Sequence, residues 1–126
     1  MGHVHVDARV FARRSARVRF LVDTGATYSV VPPDRARRLE APPTAARFTV
    51  TLADGTRRRV RGCTLGVELV GRTAPMTALL VARAEPLLGV EALEALGLRV
   101  NPTSRALEPT RAHAVLLVGV RPRGGR

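Results

Sequence analysis

Hydrophobic and polar residues alternate along most of this chain. Val4, Val6, Ala8 and Val10 are separated by His5, Asp7 and Arg9. That two-residue period predicts a half-buried strand. Arg13-Arg14-Ser15-Ala16 reads as a polar turn, and Val18, Phe20 and Val22 then alternate with Arg19 and Leu21. The two segments are expected to pair as a hairpin that ends at Asp23. A short apolar run, Tyr28–Val31, leads to Pro32-Pro33. Proline suits a first helical turn, so a short helix is expected over 33–39, broken by Ala41-Pro42-Pro43-Thr44.

The second half repeats the strand pattern and then changes period. Phe48, Val50 and Leu52 alternate with Thr49 and Thr51, Asp54-Gly55 follows, and Val60 lies beyond. Asp-Gly between alternating segments signals a hairpin, because a type I′ turn needs positive φ at both central residues. A hairpin over 47–61 follows, with Arg57-Arg58-Arg59 on a solvated face of its second arm, standing off the core. Segments 64–70 and 73–81 read as two further strands around Gly71-Arg72. Val90, Leu93 and Leu96 recur at helical spacing, with Glu91 and Glu94 facing out and Gly97 placed to close the helix. A last hairpin is expected from Leu98–Val100 and residues 105–108 around a turn at 101–104. The architecture implied is one mainly β domain over residues 1–110 with one or two short helices. The basic tail 111–126 is expected to give an edge strand over 114–120 and then disorder.

Composition adds less than its skew suggests. The chain has 126 residues and a net charge of +11, and all 21 basic residues are arginine. Lys, Ile, Gln and Trp are absent. Such bias, with abundant Ala, Gly and Pro, reads as coding bias, and the arginines are scattered along the sequence. Nucleic acid is therefore not an expected partner. Clustered arginine with stacking aromatics would be needed, and Phe11, Phe20, Tyr28 and Phe48 read as core or groove residues. Cys63 is the single cysteine, so no internal disulfide forms, and a structural place in a strand is expected. The start has neither a basic nor an apolar leader region, and the apolar runs are too short to span a bilayer. A cytoplasmic protein without membrane association is expected. His3 and His5 share a strand face but have no third ligand nearby, so no metal or other cofactor is expected.

The chemistry concentrates at Asp23. An apolar strand, Phe20-Leu21-Val22, runs directly into Asp23-Thr24-Gly25-Ala26-Thr27. It delivers one carboxylate onto a tight loop whose next residues are too small to wall the acid off. Two carboxylates close enough to share a proton can hydrolyse a peptide bond. One, ionised, takes a proton from a bridging water, while the other, protonated, polarises the carbonyl. No second candidate is present: Asp7 lies mid-strand, Asp34 begins a helix and Asp54 occupies a turn. A two-fold dimer placing Asp23 of each chain on the axis is the remaining solution.

The order of features resembles the retropepsin-like (retroviral-type) aspartic peptidases, especially their small bacterial branch. Asp-Thr-Gly-Ala comes first, the Asp-Gly hairpin about 30 residues on, then Leu87-Leu88-Gly89 and a helix. The resemblance covers roughly residues 4–109 of the sequence. It implies a closed antiparallel β barrel, a symmetric homodimer and a polypeptide substrate. It implies Asp23 as catalytic acid and Thr24 and Gly25 as the rigid grip between chains. Ala26 and Thr27 resemble positions that bind the substrate backbone. Residues 52–57 resemble a flap, with Ala53, Asp54, Gly55 and Thr56 on the substrate. Leu87-Leu88-Gly89 is similar to the segment beneath the active-site loop. Retroviral members often carry an acid at the position of Thr27 and a base at that of Val90, and both partners are missing here together. Glu91 stands where Asp or Asn is more usual.

A second reading keeps the scaffold as a peptide-binding or dimerisation module with little or no turnover.

Overall fold

The computed structural model describes residues 3–110. The expected tail strand over 114–120 lies outside them. Val4–Phe11 (β1) and Ser15–Val22 (β2) pair antiparallel, with Val6 opposite Phe20 and Val10 opposite Ala16. Alternation has its expected result, since Ala8, Val10, Val18 and Phe20 are buried and Arg17 and Arg19 are exposed. Ser29–Val31 (β3) follows the Asp23 loop, and Pro33–Arg38 (α1) starts after Pro32, as the proline pair predicts. Arg47–Thr51 (β4), Arg57–Leu69 (β5) and Arg72–Leu80 (β6) form a meander. Leu87–Leu88 (β7) and Val90–Leu96 (α2) come next, and Gly97, at φ 71°, closes the helix. Leu98–Val100 (β8) and Leu107–Pro109 (β9) make the last hairpin.

Hydrogen-bonded neighbours run β1-β2-β7-β3-β6-β5-β4, and β1 also pairs β5. That last pairing sets Val10 opposite Val67, both fully buried. Most pairings are antiparallel, as expected, and two are parallel. β2 runs parallel to β7, and β3 runs parallel to β6. Both exceptions flank the Asp23 loop, where two-residue β7 slots between β2 and β3. The main core joins residues of β1, β2, β5 and β6 to Ala36, Leu88, Leu93 and Leu96. Cys63 is buried there, and burial pushes its thiol up from its ordinary value. A smaller cluster of Val60, Leu79 and Val81 carries Tyr28, Phe48, Val50 and Leu52 beneath the β4–β5 hairpin. The hairpin is therefore seated on apolar residues of its own rather than standing clear.

Local geometry revises three expectations. First, residues 57–69 form one continuous strand, with no break near 62, because Gly62, Cys63 and Leu65 pair onward with β6. Second, the turn between β5 and β6 is Val70-Gly71, both at positive φ, with Leu69 paired to Arg72. Third, the tip at Asp54-Gly55 is a three-residue loop in which only Gly55 has positive φ. Gly55 N–H donates to Leu52 O, and Leu52 N–H to Thr56 O. The residue pair foretells the hairpin, while the Asp54 carboxylate, accepting from the Thr56 N–H and hydroxyl, favours the longer loop.

Candidate active site

Parallel pairing with β7 positions Asp23. Leu21 stands beside Leu87 and Val22 beside Leu88, so the last apolar residues of β2 are locked before the acid. Asp23 N–H then donates to Leu88 O at 3.0 Å. One carboxylate oxygen, Oδ1, accepts the Gly25 N–H at 2.9 Å, and Ala26 N–H donates back to Asp23 O. The other oxygen has no hydrogen-bond partner among the described residues. Asp23 is half-buried, while Thr24, Gly25 and Thr27 are exposed. The loop thus fixes the backbone of the acid and leaves one oxygen for chemistry.

The segment after β7 underpins the same loop. Val90 N–H donates to Ala26 O and Glu91 N–H to Thr27 O. Gly89 is pressed against the loop backbone: a Cβ there would fall 2.5 Å from Tyr28 O and 2.9 Å from Ala26 O. Its N–H donates to the Ser29 hydroxyl at 3.1 Å. Ser29 is the one buried polar residue among those described. A serine inside the apolar run Tyr28–Val31 is the signal that could have revealed it.

Asp23 lies in a groove of about 580 Å³. Gly25, Ala26, Val30 and Leu87 line it on one side, and Val50, Leu52 and Ala53 of the hairpin on the other. A neighbouring cleft holds Thr24 and Thr27 with Val90, Glu91 and Glu94. Of the expected site residues, Asp23, Gly25, Ala26, Ala53 and Leu87 therefore share one groove. Leu88 and Gly89 lie behind the loop. Asp54, Gly55 and Thr56 do not reach the groove within one chain; they form the exposed tip. A second carboxylate, Glu85, does line the groove, and it pairs with His5 Nε2 at 3.2 Å. The expected outward-facing Glu91 instead turns to β6. Its carboxylate accepts the Thr77 N–H at 2.7 Å and the Thr77 hydroxyl at 2.9 Å. No group of three potential metal ligands occurs among the described residues. No helix among them is long and apolar enough to cross a membrane.

A family model described as gag-polyprotein putative aspartyl protease matches residues 13–95. The chain belongs to this family. The match takes in the Asp23 loop, the β4–β5 hairpin and most of α2. Among solved structures, the chain is similar to EIAV protease complexed with the inhibitor HBY-793, with 17% identity and a TM-score of 0.62 over 79% of this chain and 93% of that one. It is also similar to the retroviral protease-like domain of Ddi1 from Leishmania major, with 17% identity and a TM-score of 0.59 over 88% of this chain and 90% of that one. At that identity the likeness speaks for the fold, which is retropepsin-like. No curated protein matches the chain.

Proposed function

We infer that this family member is an aspartic endopeptidase whose working unit is a symmetric homodimer, with the two Asp23 carboxylates facing each other across the axis. One observation carries the reading: each chain presents a single half-buried acid on a braced loop in an apolar groove, with one carboxylate oxygen uncommitted. Glu85 is no substitute for the missing partner, because His5 already holds it. The Thr24 hydroxyl, exposed and without a hydrogen bond among the described residues, is free to engage the opposing loop.

In the dimer, one proton is shared between two like-charged groups. The ionised Asp23 removes a proton from the bridging water, whose oxygen attacks the scissile carbonyl. The protonated Asp23 gives its proton to the carbonyl oxygen. A gem-diol forms, then collapses as a proton passes to the departing amine, and no enzyme–substrate covalent bond is made. Leu52 and Ala53 cover the groove and exclude bulk water. Val30, Val50, Leu52, Val81 and Leu87 favour aliphatic side chains in an extended peptide. A closed barrel, a reading that the β1–β5 pairing supports, would make the groove floor rigid.

Asp23→Asn tests the reading. Cleavage of an aliphatic-rich peptide, fastest at mildly acidic pH, is expected to fall by about 10²–10⁴-fold. Adding the Asn chain in excess to wild type is expected to suppress activity by forming half-sites. Equal cleavage by the variant, or a rate strictly proportional to enzyme down to dilutions where sedimentation shows monomer, would overturn it.

A further inference from the structure

The register of the β4–β5 hairpin assembles arginines that the sequence holds apart. Arg47 stands opposite Arg61, Thr49 opposite Arg59 and Thr51 opposite Arg57. Alternate strand residues share a face. Arg47, Arg57, Arg59 and Arg61 therefore lie together with Thr49 and Thr51 on one exposed face. Phe48, Val50 and Val60 take the other face, against the small apolar cluster and the groove. The run Arg57-Arg58-Arg59 is split by this alternation, and Arg58 turns to a separate pocket with Leu52 and Val81.

Three features together define this face. Like charges sit directly opposite each other at Arg47 and Arg61, which disfavours the hairpin. None of the four side chains makes an ion pair or hydrogen bond among the described residues. Arg9, Arg13, Arg14 and Arg99 each sit against a glutamate, while scattered exposed arginines such as Arg17, Arg37 and Arg38 share the unpaired state without being gathered four to a face. And no acid shares the face. Asp54 lies at the tip, with its carboxylate held by Thr56.

We propose that this outer hairpin face binds the sugar-phosphate backbone of nucleic acid without reading its sequence. Such a polyanion relieves the arginine repulsion that the fold itself leaves uncompensated. Guanidinium groups and a threonine hydroxyl are phosphate-binding chemistry. Along β5 the three arginines span about 13 Å, room for several successive phosphates. The face has no apolar side chain to form the buried centre of a protein interface. Nor has it one to insert into a bilayer. It also lacks an aromatic on which bases could stack, so the contact is electrostatic and steeply salt-dependent.

The test is the affinity of the full-length protein for fluorescent mixed-sequence single-stranded DNA, read by anisotropy between about 50 and 200 mM salt. One variant replaces Arg47, Arg57, Arg59 and Arg61 with Gln. A control replaces Arg17, Arg19, Arg37 and Arg38, which are also exposed, so both variants lose the same charge and keep the same basic tail. Four phosphate contacts contribute a log–log slope of about −3, equivalent to about 50-fold over that salt range. The hairpin variant is expected to lose that part of the slope and at least tenfold in affinity at low salt, with the control changed far less. Should the fourfold variant fail to fold, Arg59→Glu alone carries the same comparison against Arg17→Glu. Equal losses in hairpin and control variants would overturn the proposal, as would absence of binding by wild type. Equally tight binding of polyglutamate or phosphatidylserine vesicles at matched salt would also overturn it.

Discussion

Glu91 on α2 grips Thr77 on β6 through both of its carboxylate oxygens. The contact meets a strand N–H that β3 leaves unpaired, because β3 pairs with β6 only from Ala78 onward. It also ties the helix behind the Asp23 loop to the sheet. Glu91→Ala is expected to destabilise the protein by about 1 kcal/mol, the low end of the range for orphaning a donor, because the contact is part-buried. Glu91→Gln, which keeps one acceptor and can still meet the hydroxyl, should fall between. Urea unfolding of the three proteins checks the order.

Two glycines differ in what blocks them. A Cβ at Gly89 meets the backbone of Tyr28 and Ala26, which cannot yield without moving the Asp23 loop. At Gly66 it meets the ring of Phe11, the end of a side chain that can swing aside. Gly89→Ala should therefore cost more stability than Gly66→Ala, with the overpacking range of about 1–3 kcal/mol as the scale. It should also depress peptide cleavage beyond its effect on folding. Thermal unfolding paired with activity at a temperature where both variants are folded distinguishes them.

Val70 holds φ at 53° although β-branched, and the residue is 62% exposed. Left-handed backbone costs such a residue about 1–2 kcal/mol, and no packing offsets it. Val70→Asn creates the Asn-Gly pair that a primed turn favours. The variant is expected to gain about 1 kcal/mol in denaturant unfolding, with peptide cleavage unchanged.

Asp54 titrates below its ordinary value of 3.8, first because the Thr56 hydroxyl donates to it and then because the Thr56 N–H does. A lowered folded-state value means that this tip interaction is complete above the ordinary carboxylate range. It is lost as pH falls through the depressed value. Thr56→Val removes the leading cause. The Asp54 carboxyl resonance should then titrate closer to 3.8, while an unchanged midpoint would contradict the assignment.

Where alternation was strong, the sequence was a good guide. Val18 and Phe20 faced the core, Pro33 began α1 and Gly97 ended α2, each for a local reason. What escaped it was non-local. Insertion of Leu87-Leu88 between β2, to which it runs parallel, and β3, to which it runs antiparallel, leaves no periodic trace in two residues. Glu91 looked solvent-facing at helical spacing because its partner, Thr77, sits on a strand fourteen positions away. The charged hairpin face was hidden because register, not sequence proximity, decides which side chains become neighbours. Asp23 was legible for the opposite reason: strand, acid and glycine are contiguous, and a loop of that size is shaped by its own residues.

Every residue of β5 from Arg57 to Leu69 is paired, first to β4 and then to β6. The strand that covers the groove is thus also a wall of the body, with no joint between the two roles. A cantilever of this kind yields by flexing toward its free end rather than by pivoting at a root. Under the proposed function, compliance near Ala53–Thr56 would govern admission of a peptide chain, and stiffness there would trade entry rate against how tightly an admitted chain is held.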